Sequence, residues 1–327
     1  MFRVRPPWEG LSSHFTKEFE AYALLLMREM RMAKAAALMD ESDTRLWRML
    51  FKHVDGAHAQ ADFSQVCCLG VDEMSRRKGQ EYLSIFADLV AKKVIFATEG
   101  RDASTWETFV QALEAHNGHR HAITQVSMDM SAAYQKGVKE NCRNAQVVFD
   151  KFRVLAHASK RVDQVRHAEA RVGSAEVRHW LRKSQWLWRK NPENLNEKEQ
   201  ARLAKIQKKN LCTGKAYQMR LVLQDIYRSS NACVAQKRFK VWCRWVRWVA
   251  RFYKSYVFNP MVKMAPMVED NLAGILAHWK WGLTNAFMEG FNSVFSAVKR
   301  KARGYRSSVY HITMLYFVAG KLRLPHV

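Results

Sequence analysis

Residues 69–89 read LGVDEMSRRKGQEYLSIFADL. A short apolar run reaches two carboxylates, Asp72 and Glu73, basic residues follow directly, and a second run rich in β-branched and aromatic side chains then begins. Short runs of that composition, bounded by charged or glycine-containing turns, are strands. The same signature recurs on both sides: VCCLGVD (66–72), YLSIFADL (82–89), KKVIFATEG (92–100), AITQVSMD (122–129) and AQVVFD (145–150). Between the third and fourth lies DASTWETFVQALEAH, where Ser104 or Thr105 can cap a helix whose apolar face is Trp106, Phe109, Val110 and Leu113. SAAYQKGVKEN, 131–141, is a second, shorter helix. The order β-β-β-α-β-α-β describes an α/β layer fold of the ribonuclease H kind over residues 65–155.

In such a sheet the first and fourth strands are neighbours. Asp72 is expected to end the first and Asp129 the fourth, so the two carboxylates come within reach of shared cations. Like charges held together are costly unless a metal neutralises them, and Mg²⁺ prefers oxygen ligands.

The flanking segments are helical. In residues 1–60, FEAYALLLMREM, MAKAAALM and DTRLWRMLFKHV have helical periodicity, with the polar turn DES between the last two. That is helix-turn-helix spacing, and it offers Arg45, Arg48 and Lys52 to DNA. Residues 156–280 show no strand pattern and read as an all-α, basic, tryptophan-rich insertion. Its clearest helix, KVWCRWVRWVARFYKSY (240–256), places Trp242, Trp245, Val249 and Phe252 on one face, with Arg244, Arg247, Arg251 and Lys254 opposite. In 281–327, LTNAFMEGFNSVFSAVKRKARGY forms a helix with an apolar stripe of Phe287, Phe291, Val294 and Val298. Asn285, Glu289, Asn292 and Ser296 line its other side, and the cations Lys299, Arg300, Lys301 and Arg303 follow.

The chain carries 54 Lys and Arg against 30 Asp and Glu, a net charge of +24. An excess this large argues for a polyanionic partner, since each neutralised phosphate also releases a condensed counterion. No uncharged apolar run approaches the roughly 18 to 20 residues that span a bilayer. The six cysteines contain no C-x-x-C pair, so reduced cytoplasmic thiols, without a disulfide or structural zinc, are expected.

VDEMSRRKGQEY, VSMDMSAAYQKGV, VVFDKFRVL, NPENLNEKEQARL and LTNAFMEGFNSVFSAVKRKARGYR resemble the successive motifs of bacterial insertion-sequence transposases of the ISL-three family. The resemblance runs from about residue 15 to 320. It implies an acidic DDE triad of Asp72, Asp129 and Glu289 holding two Mg²⁺ or Mn²⁺ ions, and an all-α insertion within the catalytic fold. The implied activity is DNA strand cleavage and strand transfer on double-stranded element ends and target, by a homo-oligomer on the bacterial nucleoid. Glu73 and Asp150 are neighbouring acids that could support or replace triad members, with Asn285 and Asn292 flanking Glu289. Two departures accompany the match. The family's N-terminal zinc ribbon has no counterpart in MFRVRPPWEGL, and Arg153 in DKFR stands where the family tends to have His. A shortened, non-catalytic DNA-binding derivative and a ribonuclease H-like nuclease without strand joining are the competing readings.

Overall fold

The structure is a computed structural model that describes residues 7–11, 15–75, 81–281 and 286–324; the side chains of residues 281, 286–289 and 292 lie outside that set. The chain divides into two compact units, Met1–Val147 with Asn285–Val327, and Val148–Thr284.

The first unit opens with α1 (Lys17–Glu29), α2 (Met32–Leu38) and α3 (Asp43–Ala59). Their starts are written locally: the Thr16 hydroxyl accepts from Phe19 N–H and the Ser42 hydroxyl from Arg45 N–H, satisfying donors that a helix's first turn leaves open. A left-handed Asp40 (φ 53°) helps turn the chain between α2 and α3. Short polar residues tolerate that conformation best after glycine.

Five strands follow: β1 (Cys68–Ser75), β2 (Tyr82–Asp88), β3 (Lys93–Glu99), β4 (Gln125–Met128) and β5 (Gln146–Phe149), with α4 (Ser104–Ala115) before β4 and α5 (Ala132–Asn141) after it. They form one mixed sheet in the order β3-β2-β1-β4-β5. β1–β2 and β2–β3 are antiparallel, while β1 and β4 are parallel. This matches the element order read from the sequence, with one correction. β1 does not end at Asp72; it continues to Ser75 as the first arm of a hairpin with β2. What stops near Asp72 is the parallel pairing with β4, whose last register pair is Gly70 with Ser127.

The second unit contains α6 (Lys151–Val172), α7 (Ala175–Leu181), α8 (Gln185–Arg189), α9 (Glu197–Gln207), α10 (Cys212–Ile226), α11 (Ala232–Phe252), α12 (Asn259–Val262), α13 (Met264–Asp270) and α14 (Leu272–Trp281). The helical boundary therefore falls at α6, slightly earlier than the periodicity of 156–280 suggests. α6 and α10 pack together, and a buried Glu169 fixes them. Its carboxylate accepts from Cys212 N–H (2.7 Å), Thr213 N–H (2.8 Å) and the Thr213 hydroxyl (2.6 Å), capping the start of α10 from α6. The buried stripe of α11 is Ala235, Phe239, Trp242, Cys243, Val246 and Val249. Phe252, expected on that face, is 64% exposed; three residues beyond Val249, it passes the end of the packed stripe.

The chain re-enters the first unit with α15 (Ala286–Ala302) and α16 (Ser308–Ala319). The buried residues described in α15 are Phe291, Phe295 and Val298. Val294, read as part of the stripe, is exposed, and Phe287 lies outside the described residues.

Both faces of the sheet are covered. Because side chains alternate along a strand, Met74, Leu83, Ile85 and Ala87 share one face, and it packs against Phe291 and Phe295 of α15 and Leu315 and Ala319 of α16. On the other face Phe86 stacks on Phe109 at 4.2 Å and meets Trp106 edge-on at 5.1 Å. α5 can approach Trp106 only because position 137 is glycine: a Cβ there would stand 2.1 Å from the indole Cδ1. The N-terminal helices share a core with the C-terminal ones, where Leu24, Leu46, Met49 and Leu50 pack with Val298, Met314 and Phe317. Each such fully buried leucine contributes roughly 1.5–3 kcal/mol over an exposed one.

Candidate active site

Asp72 lies in mid-β1 and is only 5% exposed. Its register partner on β2 is Ile85, so its side chain belongs to the sheet face covered by α15 and α16. Asp129 directly follows β4. The parallel pairs Cys68–Gln125, Leu69–Val126 and Gly70–Ser127, continued two steps, bring Asp129 opposite Asp72. Neighbouring strands are about 4.8 Å apart, which is the spacing expected between the two backbones at that level. The Asp72 carboxylate accepts from the Glu73 N–H at 2.8 Å and the Asp129 carboxylate from the Met130 N–H at 2.7 Å. These bonds orient both groups.

Glu73 falls on the opposite face, in register with Ser84. The Ser84 hydroxyl donates to the Gly100 carbonyl at 2.7 Å, so the Tyr134 hydroxyl, 2.6 Å away, must be the donor to Ser84. Burial raises the Tyr134 pKa, partly offset by the Ser84 bond, and the charges of Glu73, Asp72 and Asp102 raise it further. Tyr134 is therefore a protonated donor under the acidic strand at any physiological pH.

Asp150 follows β5 and is the N-cap of α6, accepting from Phe152 N–H at 3.1 Å. Arg153 lies half-buried in the first turn of α6. Glu289 has its backbone in the first turn of α15, two residues before the buried Phe291. Its side chain and that of Asn292 are outside the described residues, as is Asn285 entirely. Among the described residues no three His, Cys, Asp or Glu side chains gather into a metal-holding cluster. The described part of the candidate triad is thus the Asp72–Asp129 pair.

The predicted DNA-contacting cations divide by what they already hold. Lys299 donates to the Ser75 carbonyl at 2.5 Å, tying α15 to the end of β1. Lys301 donates to the Met27 (3.4 Å) and Arg28 carbonyls at the C-terminus of α1, where a cation also complements the helix dipole. Burial lowers its pKa. Arg45 pairs with Glu41 at 2.7 Å and lies over the Phe15 ring. Arg247 makes a bidentate pair with Glu269. Arg48, Arg244, Arg251, Arg300 and Arg303 are exposed. Apart from the i,i+4 pair of Arg45 with Glu41, spacing could not have separated these groups, because each partner lies on another element. One feature of this surface escaped the sequence reading: Trp248, 58% exposed, was not singled out, although it stands 200° from the buried Val246 on the wheel.

The sheet order, the opposed aspartates and the helical cover are compatible with the ribonuclease H-like class of α/β protein. The chain also matches the sequence profile of the ISL3 group of DDE transposases over residues 69–315, and it belongs to that family. Similar proteins include the transposase for insertion sequence element IS1001 of Bordetella parapertussis, 26% identical over 254 residues, covering 77% of this chain and 60% of that protein. The transposase for insertion sequence element IS1557 of Mycobacterium tuberculosis (strain CDC 1551 / Oshkosh) is 26% identical over 307 residues, covering 86% of this chain and 65% of that protein. The chain thus corresponds to 60% and 65% of the length of these two relatives. No described helix is long and apolar enough to cross a membrane.

Proposed function

We propose that this chain is the catalytic part of an insertion-sequence transposase, cutting and joining DNA strands by metal-dependent phosphoryl transfer. The observation that supports the reading is the parallel register of β1 and β4, which runs on from its last pair, Gly70 with Ser127, towards Asp72 and Asp129. Carboxylate oxygens are the donors that Mg²⁺ and Mn²⁺ take, and two carboxylates at strand spacing repel each other until a cation joins them. The donor set therefore fits the metals.

Asp72 would hold both ions, with Asp129 and Glu289 each completing one. The chemistry such ions would supply is activation of an attacking water or 3′-hydroxyl and stabilisation of the leaving oxygen. Asp72, being in mid-strand, has its backbone held by pairing with β2. The Glu73 and Met130 N–H groups hold the carboxylates in orientation. The role of Glu289 rests on the family motif and the helix that bears it. α1–α3 would serve as a helix-turn-helix DNA reader, residues 156–280 as an insertion domain, and Arg48, Arg244, Arg251, Arg300 and Arg303 as phosphate contacts, with double-stranded DNA the partner of an oligomer.

The test is Mg²⁺-dependent nicking and strand joining on a DNA duplex ending in the element's terminal repeat, by the wild type and by Asp72→Asn, Asp129→Asn and Glu289→Gln separately. Loss of both steps in all three supports the triad. Full activity in Glu289→Gln removes that residue alone, and activity in either Asp variant removes the reading. The two backbone hydrogen bonds favour a second reading, in which the aspartates serve only to hold the local backbone and the chain only binds DNA. Binding without nicking by the wild type would establish it.

A further inference from the structure

α11 has a second apolar feature on the side away from its core. Trp248 and Phe252, one helical turn apart, are 58% and 64% exposed, and their rings stack on each other at 5.2 Å and 22°. The next residue, Tyr253, meets Phe252 edge-on at 5.2 Å and carries the Lys215 ammonium 4.8 Å over its ring. Arg244 stands one turn before Trp248 and Arg251 three residues after it, both exposed. Along the same helix, starting one turn before Arg244, Val241 and Trp245 with Val222 line an open apolar groove of about 370 Å³ that also touches Lys237 and Arg238. α11 contains six cations, Lys237, Arg238, Lys240, Arg244, Arg247 and Arg251, and no acid of its own; Arg238 and Arg247 are paired with Asp225 and Glu269 of neighbouring segments.

Aromatic rings left in water and stacked on one another mark a surface that expects a partner. The chemistry here narrows the partner. Flat π faces between arginines, on a helix with no negative charge, suit a polyanion that also offers flat rings, which is a nucleic acid with unpaired bases. An intact duplex hides its base faces in the stack, whereas a single strand or a frayed end exposes them. We propose that Arg244, Trp248, Arg251 and Phe252 form a stacking platform for unpaired bases of single-stranded or frayed DNA. The inference rests on nucleic acid being the partner, and it adds a base-contacting role to a helix otherwise assigned only phosphate contacts.

The experiment measures fluorescence anisotropy of the full chain with labelled twelve-nucleotide strands of equal charge, one oligo-dT and one abasic. The wild type should bind oligo-dT at least about fivefold more tightly than the abasic strand, since stacking on aromatic side chains typically contributes that factor or more per base. The double variant Trp248→Ala with Phe252→Ala should bind both strands alike, at the wild-type abasic affinity. Trp248→Phe should keep most of the oligo-dT preference. Both replaced side chains are exposed, so an unchanged circular dichroism spectrum and melting point should accompany the double variant; if it unfolds, Trp248→Phe and Trp248→Gln decide by the same comparison. An oligo-dT preference that survives loss of both rings overturns the platform. So does equal wild-type affinity for the two strands, a result that leaves charge-driven DNA binding standing. Binding of neither strand overturns the platform and the nucleic-acid reading together. A double variant that retains the preference but dissociates from dimer to monomer in sedimentation reassigns the patch to contact between copies.

Discussion

Replacing Asp72 by Asn removes one charge and almost nothing else. In the metal-free protein three effects compete. The Glu73 N–H bond at 2.8 Å passes from a charged to a neutral acceptor, a loss of about 1 kcal/mol. Repulsion from Asp129 disappears: two unit charges about 5 Å apart at an effective dielectric near 20 interact by roughly 3 kcal/mol, and about half that with Asp129 partly open to water. A carboxylate only 5% exposed also gives up a desolvation cost that runs to several kcal/mol for an isolated ion. The balance favours the variant by about 0 to 2 kcal/mol, raising the melting point of the first unit by up to roughly 8 °C. Metal reverses the order. At a hundred times its dissociation constant, bound metal stabilises the wild type by about 2.7 kcal/mol, and the variant should gain much less. The assay is thermal unfolding of both proteins in EDTA and in excess Mg²⁺ or Mn²⁺, with Glu73→Gln as a control on the opposite sheet face. A metal-free Asp72→Asn protein clearly less stable than the wild type, together with no metal-induced shift in the wild type, would refute both the repulsion and the shared-cation argument.

Gly137→Ala should destabilise the first unit by about 1–3 kcal/mol in urea unfolding, because its methyl group meets the Trp106 ring; pairing it with Trp106→Leu should recover part of the loss. His58, held by the Ile95 carbonyl and packed against the Tyr316 ring, has a pKa lowered by burial below its ordinary 6.5. The unfolded chain therefore takes up that proton first as pH falls, so His58's contribution is full above pH 6.5 and is lost as pH drops through that value towards the lowered one. Unfolding at pH 7.5 and 5.5 should show a smaller loss in His58→Gln than in the wild type. If Arg244 and Arg251 each neutralise a phosphate, changing both to Ala should reduce the slope of log K against log salt by about 1.8, whereas Arg247→Ala should leave it nearly unchanged because Glu269 already holds that guanidinium.

The sheet was legible in the sequence because its strands are short β-branched runs separated by strong turn signals. The adjacency of β1 and β4 could be anticipated from element order alone. The exact level of Asp72 within β1 could not, since VCCLGVD reads as a complete strand and only pairing with β2 shows that it continues to Ser75. Helix faces were legible where the stripe was wide and uncertain at its ends: Val294 and Phe252 lie at its margins, and tertiary packing decides which marginal residue is covered. Cations were the least legible. Lys301 and Arg300 are adjacent and chemically alike in sequence, yet the first caps α1 and the second faces water.

The first unit is closed by segments that follow the whole second unit in the sequence. When a ribosome has finished β5, the sheet face bearing Leu83, Ile85, Ala87 and Val94 still lacks the four C-terminal side chains that cover it, Phe291, Phe295, Leu315 and Ala319. The whole second unit, Val148–Thr284, must be translated first, which at typical bacterial rates takes on the order of 10 s. For that interval the nascent protein displays an apolar sheet and the candidate aspartates without their helical roof. Joining segments so far apart also carries a loop-closure cost that local contacts do not. A chain interrupted anywhere before α16 therefore leaves this sheet face without Leu315 and Ala319, an open apolar surface prone to aggregate.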